Sequence, residues 1–289
     1  MQKIREFSKR HPVLVYFVLT IALTWGGMAL AAYPGGFPLS EAQMAATGAL
    51  VYVAMLIGPA GAACLLIGLL DGRSGFRQLA ARLTHWRVGV GWLAVALLAP
   101  PLLIMTLLFG LSLVSPAFQP AIFAADNWLA VALTAIITGL VVGFFEELGW
   151  TGFAVPRLQK RYGLLPTGLI VGFVWGAWHF PPFWTEDTFA AALPFALLLG
   201  QLFSWLPPYR IVMVWVYGRT NSLLVAMLMH ASLVASLSAL VPAELNTPSL
   251  LTWIVTWAAA LWGIVGLTAV ARWERLLQSH SQLAGSENI

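Results

Sequence analysis

The chain has 289 residues, 60% of them hydrophobic and only 9% charged, with mean hydropathy +0.84 and net charge +4. Soluble domains carry about 25% charged residues, so a soluble globular fold is excluded, and a single cysteine, Cys64, excludes an intrachain disulfide. What remains is an all-α, polytopic membrane helix bundle, because each crossing takes about 20 largely apolar residues and the chain supplies several such runs.

A basic flank over 1–11, MQKIREFSKRH, precedes the first apolar run at 12–33. Together they imitate a secretory leader, with ALAA at 29–32 resembling a cleavage site, but the run is long and opens a series, so it is read as the first span. Further spans are predicted near 45–70, 88–114, 128–155, 165–183, 190–208, 209–241 and 249–271, about eight in all. WLPPYR at 205–210 interrupts the pattern between the sixth and seventh. Cys64, inside the second run, is expected to be a buried thiol.

Between the second and third spans, GFRQLAARLTHWR sets Phe76, Leu79, Leu83 and Trp86 at helical spacing, with Arg77, Arg82 and Arg87 between them. That pattern predicts an amphipathic interfacial helix near 75–87. The organisation is then N-terminal spans over 12–125, a core over 126–242, a last span over 243–272 and a polar tail at 273–289, expected to be disordered.

The 15 Lys and Arg all fall before the first span, after the last, or in alternate connections, Arg210 and Arg219 being assigned to the turn between the sixth and seventh spans. The opposite connections hold Glu41, Asp126, Glu186, Asp187 and Glu244. The positive-inside rule then puts both termini in the cytoplasm, in the plasma or inner membrane. The positive charge is a topology signal, and nucleic acid is not a partner.

FFEELGWTG at 144–152 places Glu146 and Glu147 within a predicted span, although a carboxylate at mid-bilayer costs about 2.5–3.5 kcal/mol or more. At 1.5 Å per residue, Glu146, His179 and His230 lie about 16, 20 and 16 Å below the cytoplasmic edges at Arg157, Pro166 and Arg219. Half of a ~30 Å hydrocarbon layer is about 15 Å, so three spans bring their ionisable groups to one level, as a shared site requires. Carboxylates and imidazoles can satisfy one another there, and one glutamate of the pair is expected to act as a base. Neighbouring residues differ by about 100° around a helix, so one glutamate can be catalytic while the other serves structure. Gly139 and Gly143, one turn apart, predict a close helix approach. Trp150, Trp175, Trp178 and Trp184 are read as packing and interface residues.

EELGWTGFAVPRLQKRYG at 146–163, WGAWH at 175–179 and HASLV at 230–234 resemble the three motifs of the CAAX-protease and bacteriocin-processing family of intramembrane proteases, a bundle of about eight spans. The resemblance covers roughly 126–240. It implies an intramembrane endopeptidase acting on a membrane-proximal peptide or lipidated protein, CAAX-like or a precursor peptide. Glu146 would be the base that activates water and Glu147 its support. His179 would orient Glu146, and His230 would polarise the scissile carbonyl. It implies either no cofactor or one divalent metal such as zinc, held by Glu147, His179 and His230.

Three positions depart from the family pattern. Trp175 stands for a phenylalanine and keeps an aromatic; Thr151 stands for an arginine, removing a cation beside the glutamates but offering a hydroxyl one turn from Glu147; Val234 stands for an asparagine or aspartate. Two other functions compete: a non-catalytic immunity or scaffold relative, and a Glu/His proton-coupled transporter. The single polar cluster and the lack of an inverted repeat count against the transporter.

Overall fold

A computed structural model describes the backbone of residues 2–286 and the side chains of residues 6–269. Among the described residues every regular element is helical: α1 (Gln2–Arg10), α2 (Pro12–Ala32), α3 (Glu41–Leu70), α4 (Gly72–Leu83), α5 (Val90–Ser112), α6 (Trp128–Gly149), a π segment (Trp150–Ala154), α7 (Val155–Tyr162), α8 (Leu164–Trp178), α9 (Phe180–Phe183), α10 (Ala192–Phe203), α11 (Leu206–Thr220), α12 (Leu223–Leu240) and α13 (Thr247–Ser286), with two short 3₁₀ turns after α5. The helix of α13 enters the segment expected to be disordered, and residues 287–289 lie outside the described residues.

Among the described residues seven helical stretches are long and apolar enough to cross a membrane, and α8 is a shorter apolar helix within the expected count of about eight. The difference has a local cause. α8 has 15 residues, about 22 Å of helix against a ~30 Å apolar layer, and the chain turns at His179 ahead of Pro181 and Pro182. Ala192–Thr220 forms one stretch of crossing length from two pieces, broken at Ser204–Trp205. Pro207 and Pro208 do not mark a loop there. They occupy the first turn of α11, where a missing N–H costs nothing. The reversal lies at Asn221, whose left-handed φ of 49° ends α11, and at Ser222, whose hydroxyl accepts from Val225 N and caps α12.

That shift corrects the placement of Arg210. It belongs to no connection, being wholly buried within the broken crossing. Cys64 is corrected as well: its side chain is exposed on the outer surface of α3.

Helix α6 runs against both α12 and α3. A Cβ at Gly139 or Gly143 would strike the carbonyls of Ala231 and Met227, so these glycines bring α12 backbone to backbone with α6. On α8, Gly168, Gly172 and Gly176 play the same part against Ile211, Pro207 and Leu202. The first stripe sets the distance from α6 to His230, and the second sets that from α8 to Arg210. Helix α2 turns Tyr16, Thr20, Thr24 and Met28 inward at four-residue spacing; the Thr24 hydroxyl accepts from Trp178 Nε1 at 2.8 Å, and Trp25 Nε1 donates to the Trp178 carbonyl at 3.0 Å.

Candidate active site

Both glutamates lie at the end of α6, one turn before the helix widens into its π segment. A π turn breaks the regular carbonyl pairing and is frequent at functional sites. Here two arginines take up the carbonyls of that segment. Arg82 Nη2 on α4 donates to the Gly152 carbonyl at 2.8 Å, and Arg157 Nη1 donates to that of Phe153 at 3.0 Å. Arg157 also pairs with Asp71 at 2.5 Å. The amphipathic helix α4 thus clamps the C-terminal end of α6 through a residue the sequence shows only as one basic member of a row.

Glu146 is 4% exposed and Glu147 fully buried. They look in different directions, as their 100° separation demands. Glu146 Oε2 accepts from Trp175 Nε1 on α8 at 2.8 Å, and no other side-chain hydrogen bond reaches Glu146 among the described residues. Glu147 accepts from two other helices and from the next turn of its own. His230 Nδ1 on α12 donates to Oε1 at 2.8 Å. Arg210 Nη1 on α11 donates to Oε1 and Oε2 at 2.8 and 2.9 Å. The Thr151 hydroxyl donates to Oε2.

His179 does not hydrogen-bond Glu146. Its Nδ1 donates to the Trp175 carbonyl at 2.8 Å, while its ring meets Trp178 edge-on at a centroid distance of 4.5 Å. Trp175 therefore stands between the two, its indole on the carboxylate and its carbonyl on the imidazole. Its ring also lies 5.2 Å from that of His230 and 4.2 Å beneath the Arg210 guanidinium. With Nδ1 engaged in each histidine, Nε2 is the nitrogen left over, an acceptor in a neutral ring and a donor in a protonated one.

The structure thus gathers Glu146, Glu147 and His230 around Trp175, with His179 joined through the backbone of the same tryptophan. Trp175 is more than the packing residue expected, since a phenylalanine offers no N–H. Arg210 is the participant that sequence reading missed. An arginine one turn inside an apolar run was its only signal, and the neighbouring prolines masked it. Ser232, near Val234 in sequence, donates to the Leu97 carbonyl on α5 and lies outside this network.

For a divalent metal the donor set does not fit as it stands. Among the described residues no three His, Cys, Asp or Glu side chains are grouped to hold one. Glu147, the carboxylate expected to ligate it, already has Arg210 on both oxygens, and that guanidinium would repel a dication arriving at the same place.

Comparison with known proteins adds an independent line. The family described as type II CAAX prenyl endopeptidase Rce1-like matches residues 127–236, a segment that includes Glu146, Glu147, Thr151, Trp175, His179, Arg210 and His230. The curated CAAX prenyl protease 2 of Methanococcus maripaludis is 25% identical over 142 residues, which cover 47% of this chain and 51% of that protein. The chain therefore matches about half the length of this relative. Both comparisons support the family that the three motifs resemble, the CAAX-protease and bacteriocin-processing family of integral membrane proteins.

Proposed function

We propose that this protein is an intramembrane endopeptidase that hydrolyses a peptide bond in a membrane-proximal substrate, a CAAX-like lipidated protein or a precursor peptide, without a metal. The observation that carries the reading is the division of labour between adjacent carboxylates. Glu147 is saturated by Arg210, His230 and Thr151, whereas Glu146 has one hydrogen bond and an oxygen left to take a proton.

In this mechanism Glu146 removes a proton from water as the oxygen attacks the scissile carbonyl carbon, and returns it to the departing amine. Protonated His230, held through Nδ1 by Glu147, donates from Nε2 to the developing oxyanion. One such donor is worth roughly 3–4 kcal/mol in other proteases. His179, fixed by Trp175, offers Nε2 to hold the water. An apolar groove lined by Leu97, Ala135, Leu140, Leu228 and Ala231 runs beside His230's neighbour and suits a substrate arriving from the lipid side. The arginine and lysine distribution, Arg210 apart, favours cytoplasmic termini in a plasma or inner membrane, an arrangement in which the short apolar helix α8 serves as an eighth crossing, with the lipid bilayer and the peptide as partners.

The test is cleavage of a prenylated CAAX peptide and of an unprenylated precursor peptide by purified protein in liposomes. Glu146→Gln should lose cleavage by at least a thousandfold while keeping the wild-type melting temperature. Full activity in that variant would sink the reading.

A further inference from the structure

The arginine that the first motif would place at residue 151 is absent, and the cation bonded to Glu147 is Arg210 instead. Arg210 enters from α11, on the far side of Glu147, and is completely buried. Its Nη1 bonds both carboxylate oxygens, and its plane lies on Trp175. Two local features make room for it. Gly172 on α8 faces the stem, where an added Cβ would lie 3.3 Å from Arg210 Cβ. Thr151 is short, and its hydroxyl adds a further hydrogen bond to the same carboxylate.

Resting on the endopeptidase reading, we propose that Arg210 is a relocated motif arginine: a positioning residue that supplies the counter-charge for Glu147 from α11 and so fixes the carboxylate on which His230 is oriented. A carboxylate in a low-dielectric interior persists as an anion only where opposite charge and hydrogen bonds compensate its lost hydration. His230 and Thr151 provide hydrogen bonds, but Arg210 is the permanent cation. The arrangement is poor as a stability device. Among the described residues Arg210 Nε and Nη2 are buried with no hydrogen-bond partner, and a guanidinium used for structure alone normally engages that edge as well. Its burial is therefore retained for what Nη1 does at Glu147. The same contact joins the two halves of the site, because Trp175 beneath the guanidinium holds Glu146.

The experiment compares wild type, Arg210→Leu, Arg210→Lys and the double variant Thr151→Arg/Arg210→Leu in one detergent. A fluorescent farnesylated CAAX peptide serves as probe for kcat and KM. Isotope-edited infrared difference spectra against Glu147→Gln report whether Glu147 is a carboxylate or a carboxylic acid. Arg210→Leu should lower kcat about a hundredfold with little change in KM and convert the carboxylate band to the acid band. Arg210→Lys should retain the carboxylate band. The double variant should recover the carboxylate band and at least tenfold of the lost kcat, which restored folding alone would not produce. A wild-type kcat or an intact carboxylate band in Arg210→Leu overturns the assignment, as does a double variant that fails to fold or folds without recovering the band. If wild type cleaves no peptide while the infrared pattern appears as expected, the endopeptidase reading falls and the arginine assignment stands.

Discussion

Trp175 Nε1 donates to Glu146 at 2.8 Å, from the position where the family pattern has a phenylalanine. The substitution keeps the ring and adds a donor aimed at the proposed base. Hydrogen bonds to charged groups are worth about 1.5–3 kcal/mol. Trp175→Phe should therefore fold, and kcat on the prenylated peptide should fall by roughly ten- to a hundredfold, since about 1.4 kcal/mol is one decade. Steady-state kinetics decide it; an unchanged kcat would show that the indole N–H is incidental to Glu146.

The two glutamates should respond unequally to neutralisation. Glu146→Gln keeps an acceptor for Trp175 and strands no charge, so thermal stability should shift by less than ~1 kcal/mol. Glu147→Gln leaves Arg210 buried without its partner, and breaking one side of a buried ion pair costs about 3–5 kcal/mol. Thermal unfolding of both variants in the same detergent makes the comparison. Equal melting temperatures would contradict the charge assignment drawn here.

Helix approach makes its own prediction. At Gly143 an added Cβ lies 2.6 Å from the Met227 carbonyl, so Gly143→Leu must push α12 from α6 and carry His230 away from Glu147. Overpacking of this kind costs about 1–3 kcal/mol, and cleavage should disappear with it. Gly110 has open space around its Cβ position, and Gly110→Ala is the matched control, expected to be neutral. Loss of activity in the control as well would remove the inference from α6–α12 contact.

Metal removal distinguishes the proposed chemistry from its competitor. With Arg210 on both oxygens of Glu147, cleavage should persist after prolonged treatment with 1,10-phenanthroline or EDTA followed by gel filtration. Inactivation that zinc reverses would assign the reaction to a bound metal and require Arg210 to move.

Much of the site was legible because ionisable groups are expensive inside a membrane. Glu146, Glu147, His179 and His230 stand out in apolar runs, and 1.5 Å per residue suffices to put them at one level. The glycine pair at 139 and 143 announced the α6–α12 approach for a similar reason, since only small residues let two backbones meet. Arg210 was hidden because the same rule that reveals topology, basic residues outside the lipid, assigned it to a turn. The prolines before it read as a break, whereas a helix accepts them in its first turn.

Composition and spacing by themselves determined the membrane class, the apolar helices and the set of ionisable residues that stand within them, because each follows from the cost of placing a group in hydrocarbon. Only the tertiary structure decided which partners those residues have. Side-chain direction depends on how α8, α11 and α12 are rotated against α6, and that rotation is set by glycine-lined contacts between segments far apart in the chain. It is there that Glu147 acquires Arg210 and His230, and Glu146 acquires Trp175.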